Sequence, residues 1–324
     1  MNEDSSESSR QTGQGAPANV AFLFPGQGTQ QVNMGRDLAE VFPSARDVFS
    51  EVDEALRTPL SRLIFEGPDE ELRKTSNAQP AILAVSIACM KALQESLSGE
   101  SALTPSVVAG HSLGEFSALV AAGAVTLPDA ARLVRTRGLA MQHASEASPG
   151  GMAAVLGLDE LTVEEVCQET GAQIANVNAP DQIVIAGDRL ALARSLDLLT
   201  ARGAKRTIAL QVSGAFHSKH MGLASAEFTE ALESTPIHAP AVPVIANVLA
   251  QPITTADAVR QALRRQLVGC VQWHRSLLYI EQMGVASTYE FGPGRVLTNL
   301  MKRAAPHVRT FTISDVPTVK AAAG

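Results

Sequence analysis

The stretch VVAGHSLGEFSAL, residues 107–119, runs an apolar segment straight into Gly110-His111-Ser112-Leu113-Gly114 and then into a helical pattern. Glycines two before and two after a serine let a strand reverse sharply into a helix, leaving the Ser112 hydroxyl outside the turn with the helix N-terminus beneath it. The N–H of Leu113 then points to where an oxyanion would form on an attacked carbonyl. A serine hydroxyl needs a base to become a nucleophile, and the chain offers seven histidines. His111 adjoins the serine, but neighbouring side chains on such a turn diverge, so it is assigned to packing or hydrogen bonding at the pocket. His217, in VSGAFHSKHM and framed by Ser213, Gly214 and Ser218, is the best-placed base, on a loop able to overhang the strand ends. His143, His238, His274 and His307 read as surface or boundary residues.

Other chemistries find less support. His217 and His220 have the look of paired metal ligands, yet no third ligand cluster and no HExxH pattern accompany them, so no metal is expected. The loop FPGQGTQ resembles a phosphate cradle but lacks the third glycine of G-x-G-x-x-G and the Lys-Ser/Thr of a P-loop. After a first strand, such a loop can instead offer a second backbone N–H to an oxyanion. Cys89, Cys167 and Cys270 sit in apolar runs away from any glycine-framed turn and read as reduced core thiols.

The elements that must position these groups follow from hydrophobic periodicity. Val20–Phe24 is a short, wholly apolar run of buried-strand type closed by Pro25, and SVVAG is another. AQPAILAVSIACMKALQESL is apolar nearly all round, which predicts a central helix with Pro80 near its start. DAARLVRTRGLAMQHA is amphipathic. Strands alternating with helices predict an α/β fold with a parallel sheet covered on both faces. From Gly150-Gly151 the order changes to strand, helix, strand, strand, helix, strand, ending at KRTIALQ, a split βαβ unit of ferredoxin-like type. The expected organisation is a disordered leader over 1–18, a core over 19–145 and 213–315, an inserted subdomain over 146–212, and a flexible tail over 316–324.

Bulk properties set the class of partner. With 324 residues, 45% of them hydrophobic, the chain can bury a large α/β core, and its net charge of −7 disfavours nucleic acid and anionic membranes. The Ser- and Gly-rich start lacks the basic and apolar regions of a secretory signal, and no apolar run is long enough to span a bilayer. A cytoplasmic protein is expected.

Taken in order, FPGQGTQ, GHSLGEFSAL, VRTRGLAMQ, SGAFHSKHM, RRQLVGCVQW and YEFGPGRVLTNLMKR resemble the malonyl-CoA:acyl carrier protein transacylases of fatty acid and polyketide synthesis. The resemblance spans about residues 20–304. It implies an α/β-hydrolase-like core with a ferredoxin-like subdomain, and a ping-pong reaction through a malonyl-serine ester with no cofactor. It also implies Ser112 as nucleophile, His217 as general base and then acid, and the N–H groups of Gln27 and Leu113 as oxyanion hole. Arg137 resembles the clamp for the malonyl carboxylate, a role suited to a planar guanidinium. Gln266, His111 and Asn247 are expected at the substrate pocket, and Phe216 before His217 matches malonyl-selective wording. An acidic acyl carrier protein is the expected partner of a monomer, with Lys205 and Arg206 as docking cations. LVGCVQW departs from the family's Asn-Pro-Val-type wording before the tryptophan. A serine thioesterase sharing the same pair, and a non-catalytic carrier-docking module, remain the alternatives.

Overall fold

Among the described residues, ten strands form from runs rich in β-branched and aromatic residues. In chain order they are β1 (Val20–Phe24), β2 (Val107–Gly110), β3 (Gly150–Leu156), β4 (Gln173–Ala179), β5 (Gln182–Asp188), β6 (Arg206–Ala209), β7 (Val244–Ala246), β8 (Gln251–Ile253), β9 (Ser287–Phe291) and β10 (Arg309–Ile313). The structure, a computed structural model, describes residues 19–97 and 103–324, so the expected leader lies outside the described residues.

Six strands make one sheet in the order β10-β9-β1-β2-β7-β8, parallel except for β8, which runs against β7. Successive side chains of a strand point to opposite faces. Accordingly Phe22 and Phe24 enter one buried cluster with the Thr75–Ser96 helix, while Ala21 and Leu23 enter another with Trp273 and Leu297. Both faces are covered, as continuous apolar strands require. The chain has an α/β fold.

The other sheet is antiparallel in the order β4-β5-β3-β6. Helices Glu160–Thr170 and Arg189–Ala201 pack on it around a small core of its own that includes Val155, Val166, Ile185 and Leu199. The strand order and connections are those of a split βαβ unit.

Three expectations change. Residues 316–324, expected as a flexible tail, carry the helix Val316–Ala323, because Asp315 and Thr318 form a reciprocal capping box and Pro317 fits the first turn. Val319 is buried, and the Val316 N–H donates to Asp37. The central helix begins at Thr75, so Pro80 lies inside it rather than near its start, and the Ser76 carbonyl loses its usual donor. Cys270 is half-buried in the loop before the Asn176–Val271 bridge instead of being a core thiol.

Candidate active site

β1 and β2 pair in parallel with Phe24 opposite Gly110, so the loops leaving both strands emerge side by side at the same sheet edge. Ligand sites of parallel sheets form at this carboxyl edge. The turn after β2 is tight enough that a Cβ on Gly110 would lie 1.9 Å from the Gly114 carbonyl oxygen. Ser112 at its apex has φ of +52°, a left-handed conformation that raises its side chain from the turn at a cost in strain. Asn247, just past β7, secures the turn: its Oδ1 accepts from the Ser112 N–H at 2.6 Å and its Nδ2 donates to the Gly110 carbonyl at 2.7 Å.

Ser112 Oγ and His217 Nε2 are 2.7 Å apart, although they lie 105 residues apart in sequence. His217 also has a positive φ, +56°, and its Nδ1 is 2.9 Å from the Gln266 carbonyl oxygen. A carbonyl can only accept, so Nδ1 carries the proton and Nε2 presents its lone pair to the serine hydroxyl. Burial, then the Arg137 charge, lowers the His217 pKa to about 3, with the Gln266 carbonyl opposing them. The ring is therefore neutral and able to accept a proton at neutral pH. The Gln266 carbonyl occupies the place that an acidic residue holds in a Ser-His-Asp triad.

Arg137 is only 1% exposed, yet no carboxylate forms an ion pair with it among the described residues. Its Nη1 donates to Gln79, its Nη2 donates to Gln266 Oε1 and lies 3.2 Å from Ser112 Oγ, and its buried Nε has no partner. Its guanidinium sits 5.5 Å from the Phe116 ring centroid. Burial lowers the Arg137 pKa to about 10, opposed by the field of Glu115, so the group stays charged at neutral pH.

A cavity of about 250 Å³ opens in front of Ser112 and His217. Gln27, His111, Ser112, Phe216 and His217 line it from the core, and Met152 and Val184 line it from the small sheet. His111 Nε2 bonds Asn178 Oδ1 at 2.9 Å, and burial lowers its pKa. Gln27 and Leu113, the expected oxyanion donors, have backbone N–H groups with no acceptor among the described residues.

Three expected substrate residues are absent from the cavity wall: Arg137, which still reaches the serine with Nη2 3.2 Å from Ser112 Oγ, and the two amides Asn247 and Gln266. Asn247 and Gln266 are fully buried, because their amides are consumed in holding the serine turn and Arg137. Lys205 and Arg206 are exposed at the start of β6, whereas the cavity-lining Leu210 and Val212 follow its end. At about 3.3 Å per residue, Arg206 is some 13 Å of chain from Leu210. His220 bonds Ser148 rather than sharing a site with His217.

Glu115 and Gln79 are site residues that sequence reasoning passed over. Both are large buried polar groups in helices that are otherwise mostly apolar or carry only small hydroxyls, and that mismatch was the available signal.

A mostly parallel sheet presenting a turn-borne serine beside a buried histidine defines an α/β acyl-transfer scaffold. The acyl transferase domain model matches residues 21–320. The chain belongs to that acyltransferase family and, within it, to the malonyl CoA-acyl carrier protein transacylases. It is 44% identical over 308 residues to the malonyl CoA-acyl carrier protein transacylase of Bacillus subtilis (strain 168), covering 94% of this chain and 96% of that one. An acyl-carrier-protein-S-malonyltransferase crystal structure from Bartonella henselae superposes with a TM-score of 0.89 at 43% identity, covering 94% of this chain and 98% of that one. A malonyl-transacylase in complex with its type II PKS acyl-carrier protein gives a TM-score of 0.90 at 39% identity, covering 94% and 99%.

Proposed function

We propose that this chain transfers a malonyl group from malonyl-CoA to the phosphopantetheine thiol of an acyl carrier protein, through an ester on Ser112. The observation that carries the reading is Arg137: a buried cation that has no ion pair and no partner for its Nε among the described residues, with its Nη2 3.2 Å from Ser112 Oγ. A buried charge is costly unless it is paired, so the site suits an acyl group bearing its own carboxylate. Phe216 adds an apolar wall that suits the short methylene of malonate.

In the first half-reaction, His217 Nε2 takes the Ser112 proton as Oγ attacks the thioester carbonyl. The resulting oxyanion is met by the N–H groups of Gln27 and Leu113. Collapse breaks the carbon–sulfur bond, and His217 returns the proton to the departing CoA thiolate. In the second half, His217 takes the proton of the carrier thiol as its sulfur attacks the ester, then delivers it to Ser112 Oγ. Every atom and proton is accounted for without a cofactor. The free thiols Cys89, Cys167 and Cys270 suit a reducing compartment, which supports a cytoplasmic setting.

The hydrolase alternative differs only in the acceptor, and partition of the acyl-enzyme separates the two. Isolated malonyl-enzyme mixed with holo acyl carrier protein should give malonyl-carrier, with free malonate a minor product. Release of malonate at the same rate with and without carrier would show a hydrolase.

A further inference from the structure

Glu115 lies one turn beyond the serine, fully buried on the short helix Gly114–Ala121. Its Oε2 accepts from Gln266 Nε2 at 2.8 Å and from the Asn247 N–H at 3.2 Å, whereas Oε1 has no partner among the described residues. These two neighbours hold the serine turn: Asn247 through its amide, and Gln266 by donating from the same Nε2 to the Ser112 carbonyl at 2.9 Å. Gln266 Oε1 meanwhile accepts from Arg137. The Gln266 amide is thus clamped between a carboxylate, which can only accept, and a guanidinium, which can only donate. Only one amide orientation satisfies both.

Resting on the transferase reading above, we propose that Glu115 is a positioning residue whose buried carboxylate locks the Gln266 amide, and through it the Arg137 guanidinium, in the orientation that receives the acyl carboxylate. Protonation on the free Oε1 would leave Oε2 a weaker, neutral acceptor for the Gln266 amide and remove the negative charge that faces Arg137. The carboxyl also acts through space on Arg137, favouring its charged form.

The charged surroundings of Glu115 are sparse. Strands β1, β2 and β7 contain no ionisable residue, and Lys91 and Glu95 of the Thr75–Ser96 helix are exposed. Of the ionisable residues on the helix Leu127–Ala147, only Arg137 is buried. Gln266 and Asn247 are neutral, and His217 stays uncharged until far lower pH. Burial raises the Glu115 pKa to about 7, opposed by Gln266, Asn247 and Arg137 in that order. The charged lock is present above that pH and weakens as pH falls through it.

The test is kcat/KM against pH for malonyl-CoA and for acetyl-CoA, using native enzyme, Glu115→Gln and Glu115→Asp. For the native enzyme, malonyl transfer should fall about tenfold per pH unit below the Glu115 transition, while acetyl transfer shows no such limb. Glu115→Gln should lose about one to two decades for malonyl-CoA above that transition and lose its acid limb, with a smaller, pH-independent loss for acetyl-CoA through the serine turn that both substrates share. Glu115→Asp, which keeps the charge, should restore part of the malonyl rate and the limb. A limb that persists in Glu115→Gln would belong to another group and would overturn the proposal, as would equal losses for both substrates. If Glu115→Gln folds poorly, the native profile decides alone, and absence of a malonyl-specific limb overturns the proposal. Failure of native enzyme to form any malonyl ester would instead refute the transferase reading.

Discussion

Arg137→Ala should lower kcat/KM for malonyl-CoA by about two to four decades while leaving acetyl-CoA unchanged or improved. Deleting the guanidinium leaves a malonyl carboxylate unpaired in a poorly solvated place, at a cost of about 3–5 kcal/mol. At about 1.4 kcal/mol per decade, that cost gives the stated loss if the pairing is formed by the transition state. An acetyl group meets the opposite situation, since in the native site it leaves the buried cation unpaired and in the variant it meets a neutral pocket. Circular dichroism should confirm that both proteins are folded, because Gln79 and Gln266 each lose a donor. An equal fall for both substrates would make Arg137 a support for the serine turn, and a fall for neither would remove it from the site.

His217→Ala should slow acylation of Ser112 by about two to four decades, the usual scale for loss of a general base. The pH dependence carries a second signature. Because the ring remains neutral down to about 3, the base is available throughout the neutral and mildly acidic range, and no acid limb there belongs to it. Stability follows the same shift. An unfolded chain protonates this histidine near its ordinary 6.5 and the folded one only near 3, so the unfolded state binds more protons in between. The native protein therefore loses stability as pH falls from 6.5 towards 3, and His217→Ala should lose less over that window. Thermal unfolding of both proteins across it checks the sign; parallel curves would mean that the ring is not held neutral.

The α/β class and the split βαβ order were legible because strand-type runs and helical periodicity alternate plainly, and because the order of elements changes at Gly150-Gly151. Ser112 was legible from the glycines around it, which the turn needs for close backbone approach. His217 stood out by loop position, and the fold places it 2.7 Å from the serine. Arg137 was different. Its segment also carries Arg132 and Arg135, and of the three only Arg137 falls on the apolar stripe of Ala130, Leu133, Val134, Met141 and Ala144 that the fold buries. Resemblance pointed to it; its charge argues for solvent, whereas its helical spacing from Leu133, Val134 and Met141 places it on the buried face.

Buried amides and carboxyls were the least legible. Asn247 and Gln266 were expected at the substrate, but their hydrogen bonds run to the Ser112 backbone, a role set by strands and helices far apart in sequence. Glu115 follows the serine by three residues and was passed over, since a glutamate in the first turn of a helix ordinarily complements the helix dipole in solvent. The helix at Val316–Ala323 was missed for a local reason: the Asp315-Val316-Pro317-Thr318 start is a recognisable cap, but the short apolar segment after it has weak periodicity.

The most direct test of the central claim is intact-protein and peptide mass spectrometry after brief mixing with malonyl-CoA. The expected result is a mass gain of one malonyl group on the peptide containing Ser112, lost on addition of holo acyl carrier protein and absent from Ser112→Ala. A malonyl group on any other residue, or an ester that still forms in Ser112→Ala, would contradict it.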